Sequence, residues 1–272
     1  MQEGLKRILI VGGIAALTVA LYFAPHEGVK QEAKAVDNSS FSFEDELQAG
    51  KRRLKREEAE QISLLEAAVS KEQGSVTLLD SLGKTWDRYQ TPAISSHYFE
   101  EVAKLSPEEG NWISAAYRYF DAFKMTGDSA RKSYFSGKAI ECYQKVLAIN
   151  PKNLDAKTDL GVIYTEATAN PMQGIMMLRE VITENPKHLM AQFNLGVLAV
   201  KSGQLDKAVG RFETVLTIDP KFDEARMLLA RAYLQMNNNT EALRNLQILA
   251  KQSEDQQMIR DANSLINQIN NH

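Results

Sequence analysis

The sequence predicts an all-α protein: an α-solenoid of about five helix-turn-helix repeats, with a capping helix at each end and one transmembrane helix near the N-terminus. Three observations predict this architecture. One turn signal recurs about every 34 residues, the apolar residues between the turns have helical spacing, and an uncharged run of 17 residues stands near the start of the chain. The repeats and their caps account for nearly all of the chain after residue 44.

The turn signal is Asn or Asp followed by Pro and Lys. Its prolines are Pro151, Pro186 and Pro220, which lie 35 and 34 residues apart. Proline ends a helix because it lacks an N–H and disfavours helical backbone in the residue before it. Two other markers, a large residue before a small one and a small residue before an apolar one, keep nearly the same interval. Together they indicate an internal repeat of about 34 residues.

Between two turns the apolar residues follow the period of two helices. In residues 189–222 the first apolar run ends at Ser202-Gly203. The second run has the i, i+3, i+4, i+7 spacing of one helix face, with members Leu205, Ala208, Val209, Phe212, Val215 and Leu216. The lengths fit two antiparallel helices joined by a short turn. Small residues at Gly196 and Ala208 would let these helices approach closely.

The N-terminus is predicted to anchor the protein in a membrane. Residues 8–24, ILIVGGIAALTVALYFA, carry no charge and would reach about 26 Å as a helix, close to the ~30 Å of a hydrocarbon core. Lys6 and Arg7 oppose translocation of residues 1–7, the expected cytoplasmic tail, although Lys30 and Lys34 weaken this charge bias. The expected location is the bacterial cytoplasmic (inner) membrane, with a single pass and the repeats on the periplasmic side.

A cleaved signal peptide is the alternative interpretation of the same run. Thr18-Val19-Ala20 could serve as its cleavage site, although the apolar Leu21-Tyr22-Phe23 follow directly. Cleavage would release an exported soluble protein. The repeats lie outside the cytoplasm under either interpretation.

Residues 25–43 are polar and show no periodicity, which predicts a flexible linker. The basic run that follows at 51–56 could attract anionic lipid or nucleic acid, but three glutamates come directly after it. A solvated helix over 44–60 is the better interpretation, with i, i+4 ion pairs joining Arg53 to Glu57 and Arg56 to Glu60.

The second half of residues 44–75 is predicted to cap the array. Counted back by 34 residues from the first full repeat, four small or apolar residues fall on the core positions of a second helix. They are Ile62, Leu65, Ala68 and Val69. Residues 44–75 should therefore hold a charged helix and an N-terminal half-repeat that covers the first repeat.

The repeat resembles the tetratricopeptide repeat (TPR), a helix-turn-helix unit of 34 residues. Residues 189–222 match its pattern without a gap, at Leu195, Gly196, Ala208, Phe212, Val215 and Pro220. On this pattern the array covers 76–254, with units at 76–109, 110–153, 154–188, 189–222 and 223–254. The second unit carries about eleven extra residues around Met125–Gly137. A TPR α-solenoid is therefore expected.

Residues 255–272 are predicted to form a C-terminal capping helix. Its apolar residues make one stripe, consisting of Met258, Ala262, Leu265, Ile266 and Ile269. Ser253 and Gln256 have the spacing of a capping box at the helix start. A stacked array needs such a helix, with one face on the last repeat and the other in water.

The sequence offers no constellation for catalysis, metal binding or a cofactor. The four histidines are scattered, there is no HExxH motif or glycine-rich phosphate loop, and the one cysteine, Cys142, lies in ordinary second-helix sequence. The net charge of −3 gives no overall attraction to nucleic acid. We therefore expect a protein that is not an enzyme, with no cofactor, no metal and no nucleic-acid partner.

The resemblance implies a partner-binding groove, because in TPR proteins the first helices of the repeats line a concave face. Carried over by position, the groove residues of the third repeat are Asp155, Thr158, Val162, Thr165 and Glu166. Those of the fourth are Met190, Phe193, Asn194, Val197, Val200 and Lys201, and those of the fifth are Glu224, Met227, Arg231, Leu234 and Gln235. Asn194 stands where TPR asparagines often hydrogen-bond a ligand backbone. This set is largely apolar and lacks the residues that clamp a C-terminal carboxylate.

The expected function is a membrane-tethered scaffold or adaptor, chaperone-like or an assembly factor, that binds an apolar peptide, a helix or a partner protein. The layout resembles anchored bacterial TPR proteins, so an accessory role in cytochrome c maturation or at a translocon is one alternative. A homo-oligomeric structural protein of the envelope is another. Leu47, Leu54 and Leu65 give too few core positions for a coiled coil in that case.

Overall fold

The computed structural model describes residues 41–271, which form thirteen α-helices and, in that range, no β-strand. In chain order the helices are α1 (Phe43–Lys51), α2 (Arg56–Lys71), α3 (Val76–Arg88), α4 (Pro92–Leu105), α5 (Glu109–Met125), α6 (Ser129–Ile149), α7 (Leu154–Ala167), α8 (Pro171–Glu184), α9 (Leu189–Lys201), α10 (Leu205–Ile218), α11 (Asp223–Gln235), α12 (Asn239–Gln252) and α13 (Gln256–Asn270).

The helices stack in chain order, each one from α2 onward packing against the next. Helices α3 to α12 form five consecutive pairs, and we call the members of each pair its first and second helix. Helix α2 packs on the first pair and α13 on the last. The prediction of an all-α solenoid is thereby confirmed for the described residues.

The recurring turn signal has a common structural cause. Asn150, Asn185 and Asp219 each accept a hydrogen bond, through the side-chain Oδ1, from the backbone N–H of the lysine two residues later. The donor–acceptor distances are 3.2, 3.0 and 2.9 Å. Each of these residues also follows directly on the last residue of a second helix. The side chain therefore closes the turn, and the intervening proline prevents the helix from continuing.

The insertion predicted in the second repeat lengthens both helices of the pair. Helix α5 has 17 residues where the other first helices have 13 or 14, and α6 has 21 where the other second helices have 14. Four additional residues in α5 and seven in α6 account for the insertion. Phe123 and Phe135, which lie in these added turns, are both buried.

Close helix approach depends on glycine in the third and fourth repeats. A Cβ atom at Gly174 of α8 would lie 2.2 Å from the carbonyl oxygen of Gly161 in α7. A Cβ atom at Gly196 of α9 would lie 2.7 Å from the ring of Phe212 in α10. Ala208 is fully buried. The small residues therefore set the distance between first and second helices, as predicted for Gly196 and Ala208.

The predicted continuous helix over 44–60 is wrong. The chain turns at residues 52–55 between α1 and α2, so Arg53 lies outside both helices and the predicted pair with Glu57 is not formed. Arg56 does pair with Glu60, at 2.9 Å on the exposed surface. The turn allows Leu47 and Leu54 to pack into the same cluster around Trp86. Burial of these leucines outweighs the helical preference of the charged run.

The segment 41–46 is fastened to the second helices α4 and α6. The contacts are a stacked pair of Phe41 and Tyr134 with centroids 4.0 Å apart, a stacked pair of Phe43 and His97 at 3.8 Å, and an ion pair of Glu46 and Arg131 at 2.6 Å. Arg131 and Tyr134 belong to the added turns of α6, so the insertion in the second repeat provides two of these three contacts. Residues 41–43 are therefore packed, although they were predicted as the end of the linker.

Helix α13 covers the end of the array. Ala262 is fully buried, and Met258, Leu265, Ile266 and Ile269 pack with it against Leu246 and Leu249 of α12. The N-cap is Asp255, whose Oδ1 accepts hydrogen bonds from the N–H groups of Gln257 and Met258 at 2.7 and 3.3 Å. The predicted capping box at Ser253 is wrong, because Ser253 ends α12 instead.

Within residues 41–271 no helix combines the length and the apolar character that a membrane crossing requires. The predicted cytoplasmic tail at 1–7, the predicted anchor at 8–24 and residues 25–40 of the predicted linker lie outside the described residues.

Candidate functional site

The first helices of the last three repeats form the inner row of the array. Helix α9 contacts both α7 and α11, whereas no pair of second helices from neighbouring repeats packs as closely in residues 41–271. In a curved stack the row whose members are closer together lies on the inside of the curve. The predicted groove therefore corresponds to the exposed side of α7, α9 and α11.

The sixteen predicted groove residues differ in exposure. Seven are exposed: Asp155, Glu166, Met190, Lys201, Glu224, Arg231 and Gln235. Six are half-buried: Thr165, Phe193, Asn194, Val197, Val200 and Leu234. The remaining three, Thr158, Val162 and Met227, are buried.

The three buried residues contribute to packing and present no free surface. The Thr158 hydroxyl donates to the Leu154 carbonyl one turn earlier, at 2.8 Å. Val162 joins the cluster that links α7, α8 and α9. Met227 packs in the cluster closed by α13. Only the other thirteen residues could touch a partner directly.

The centre of the inner row is apolar, and its side chains pack against the buried core between α9 and α10. Phe193, Val197 and Val200 of α9 pack on one side against the cluster that contains Phe212. The ring of Phe193 lies 6.1 Å from that of Phe212 and 5.0 Å from that of Phe222, between centroids. Met190, on the same helix, is 40% exposed. This apolar face of α9, formed by the four groove residues named here, is thus fixed in position with one side open.

Asn194 is partly engaged by its own helix. Its Nδ2 donates to the Met190 carbonyl at 2.8 Å. Its Oδ1 receives no hydrogen bond from residues 41–271. The side chain could therefore accept one hydrogen bond from a partner without losing the bond that it already makes.

Two charged groove residues already have partners. Glu166 pairs with Lys124 of α5 at 2.8 Å, an ion pair that joins the second and third repeats. Oδ1 of Asp155 lies 3.1 Å from Nε2 of His188. Nδ1 of His188 accepts the N–H of Ala191, at 3.3 Å, and so caps α9. An open cavity of about 580 Å³ lies beside this contact and includes both Asp155 and Met190 in its lining.

Asp159 is a groove residue that the sequence prediction missed. It stands 35 residues before Asn194, at the same place in the preceding repeat, and this spacing is the signal that could have found it. The Tyr143 hydroxyl donates to its Oδ2 at 2.9 Å. The pKa of Asp159 is raised to about 6, chiefly by burial and further by the charges of Asp155 and Asp121, while the hydrogen bond from Tyr143 opposes the rise.

The described residues hold no group of three His, Cys, Asp or Glu side chains that could bind a metal ion. Cys142 is buried, and burial raises the pKa of its thiol to about 12, so the thiol stays protonated at neutral pH.

Comparison with known proteins gives a family match over part of the chain. The tetratricopeptide repeat family model matches residues 199–262, which run from the end of α9 into α13. No curated protein sequence matches the chain significantly.

Solved structures with the same fold cover more of the chain. A tetratricopeptide repeat protein from Parabacteroides merdae has a TM-score of 0.58 and 17% identity, over 82% of this chain and 85% of that one. A thermophilic TPR protein of Thermus thermophilus has 0.53 and 19%, over 70% and 98%. MamA of Desulfovibrio magneticus has 0.51 and 15%, over 65% and 93%. At these identities the similarity establishes the fold alone.

Proposed function

We propose that this tetratricopeptide repeat protein is a non-enzymatic scaffold whose inner row of first helices binds a segment of a partner protein. The observation that carries the proposal is the apolar face of α9, which is half-open and supported by a buried core. A face that is already ordered loses little side-chain entropy when a partner binds. Met190 is flexible enough to adapt to the shape of the bound segment.

The groove can be tested by site-specific photocrosslinking. A photoreactive amino acid placed at Met190 should crosslink the partner in cells, because this side chain is exposed on the inner row. The matched control is Thr217, which is exposed on the second helix α10. We expect the Asn194→Ala and Phe193→Ala variants to weaken partner binding by about 1–3 kcal/mol, or roughly 5- to 150-fold.

The melting temperature of each variant has to be measured together with partner binding, because Phe193 also packs on Phe212 and Phe222. Asn194→Ala removes the free Oδ1 acceptor and one solvent-exposed hydrogen bond to the Met190 carbonyl, and the higher helix propensity of alanine offsets that loss, so the melting temperature should stay nearly unchanged. Equal crosslinking from Met190 and Thr217, together with unchanged binding by both alanine variants, would show that the inner row is not the binding surface.

We also propose that residues 8–24 tether the scaffold to the bacterial cytoplasmic membrane with the repeats on the periplasmic side. The uncharged run and the preceding Lys6 and Arg7 support this location. Protease added to spheroplasts should digest the repeats, and the protein should stay in the membrane fraction through an alkaline wash. Protected repeats would contradict the orientation, and a mature N-terminus at Leu21 would contradict the anchor.

A further inference from the structure

The first helices differ in chemistry from one repeat to the next. Asp121 lies on α5, Asp155 and Asp159 lie on α7, and α9 carries the apolar face described above. The two surfaces are adjacent because α7 and α9 pack directly against each other. Asp155 of α7 contacts His188 at the start of α9, so the surfaces meet at that point.

Of these three carboxylates, Asp121 and Asp159 form no ion pair in the described part of the chain, whereas Asp155 lies 3.1 Å from Nε2 of His188. No Lys or Arg of residues 41–271 lies within ion-pair distance of Asp121 or Asp159. Arg118 and Lys124 each lie three residues from Asp121 in sequence. Arg118 pairs with Asp87 at 2.8 Å and stacks over the ring of Phe99 at 4.7 Å, and Lys124 pairs with Glu166 at 2.8 Å. Asp121 follows Tyr117 by one turn on α5, and the ring of Tyr117 meets that of Tyr143, whose hydroxyl donates to Asp159 at 2.9 Å. These contacts bring Asp121 and Asp159 to one region of the surface.

An aromatic ring lies beside these carboxylates. Tyr117 of α5 is 37% exposed, and its ring meets that of Tyr143 edge-on with centroids 6.1 Å apart. The charges of Asp159 and Asp155 both act on Tyr117. Carboxylates attract a cation by charge, and the face of a tyrosine ring attracts it through the ring quadrupole. This combination fits the ammonium of a lysine or the guanidinium of an arginine.

We propose that the groove takes a protein segment in which a Lys or Arg side chain lies next to apolar side chains. The cation would enter beside Tyr117, Asp121 and Asp159, and the apolar side chains would lie on the face of α9. Packed helices are about 8–10 Å apart, and an extended chain advances about 3.3 Å per residue. The cationic and apolar side chains should therefore be about three residues apart in an extended segment. The inference rests on the proposed function of the groove.

An ionised Asp159 in its half-buried position lowers the free energy of unfolding, and this loss of stability supports a binding role. The groups around it are Tyr143 from α6, Asp121 and Tyr117 from α5, Asp155 on its own helix and, through Asp155, His188 at the start of α9. Its pKa of about 6 in the folded protein lies above the ~3.9 of an unfolded chain, so the folded state binds the additional proton between these values. The contribution of Asp159 to stability is therefore present at about pH 4 and lost as the pH rises through about 6.

The Asp159→Asn variant separates a binding role from a structural one. Asparagine keeps an oxygen that can accept the Tyr143 hydroxyl but carries no charge. We expect its melting temperature to exceed that of the unchanged protein at pH 7.5 and to equal it at pH 4. A lower melting temperature at pH 7.5 would mean that the carboxylate stabilises the fold, and this would overturn the inference.

Binding can be measured with synthetic peptides on the full-length protein. Fluorescein-labelled peptides of twelve residues would carry two leucines and, three residues away, either lysine or the neutral norleucine, with alanine and serine elsewhere. We expect the lysine peptide to bind about tenfold more tightly at pH 7.5, as for a partly desolvated ion pair. This preference should weaken as the pH falls through about 6, where Asp159 becomes protonated, and it should be lost in the Asp159→Asn and Asp121→Asn variants. It should persist in the control Asp206→Asn, which makes the same chemical change at an exposed position of the second helix α10, outside the predicted groove.

The outcomes distinguish this inference from the proposed function. If both peptides bind equally and Phe193→Ala weakens both, the groove binds apolar segments and the inference on the cation is overturned. If the preference for lysine survives in Asp159→Asn and Asp121→Asn, the cation binds elsewhere and the inference is again overturned. If neither peptide binds, both the proposed groove and the inference are contradicted.

Discussion

Replacing Phe212 by alanine is expected to cost about 3–5 kcal/mol of folding free energy. The side chain is fully buried in α10, where its ring packs against Gly196 and supports Phe193 from beneath. Alanine would leave a cavity between α9 and α10, and the close approach of these helices leaves few atoms free to fill it. Urea unfolding of the variant measures the loss.

The same substitution should also weaken binding at the apolar face of α9, because Phe193 loses its support. Thr217→Ala is the matched control, since Thr217 is exposed on the same helix and a change there should stay within about 0.5 kcal/mol. A loss below about 1 kcal/mol for Phe212→Ala would mean that the helices collapse onto the cavity. The glycine at 196 would then not set the helix spacing.

Alanine at Gly174 and alanine at Gly210 are expected to change stability in opposite directions. Both glycines lie inside second helices, α8 and α10. A Cβ at Gly174 would meet the backbone oxygen of Gly161 at 2.2 Å and Thr165 at 2.7 Å, whereas a Cβ at Gly210 meets nothing within 4 Å. We expect Gly174→Ala to cost about 1–3 kcal/mol or more through overpacking, and Gly210→Ala to gain up to about 1 kcal/mol through helix propensity.

Thermal melts of the two variants measure the difference, and each serves as the control for the other. The helix propensity term is the same in both, so the difference between them isolates the effect of contact between α7 and α8. A Gly174→Ala variant as stable as Gly210→Ala would show that these helices can move apart freely. The groove side of α7 would then be less fixed than the structure indicates.

The repeats could be predicted from sequence because their signals are local. Each signal depends on residues within one repeat of about 34 residues. The signals are the proline that ends a helix, the Asn or Asp that accepts the lysine N–H two residues later, and the glycine that faces a large residue. The helix over 44–60 could not be predicted in this way. Its charges favour a helix, but the turn at 52–55 depends on Trp86, which lies more than 30 residues away in the chain and draws Leu47 and Leu54 into one cluster.

The candidate site was harder to predict than the fold, because position in a repeat does not fix exposure. Val162 and Met227 hold groove positions, but a neighbouring repeat covers the first and α13 closes over the cluster that buries the second. Asp159 owes its raised pKa to burial and to charges that include one on a different repeat. These effects come from stacking, which no single repeat encodes.

The long second repeat affects how local stability is distributed along the array. In stacked repeats, stability is approximately the sum of terms within each unit and terms between neighbours. The added turns of α5 and α6 increase the stabilising contacts in the N-terminal part of the array, where the largest buried cluster extends from α4 to α7. The contacts of residues 41–46 with α4 and α6 add to this stability. Toward the C-terminus the buried clusters are smaller. Local opening is therefore expected to cost the least free energy at the C-terminal end of the array, in α12 and α13, and the most around α5 and α6.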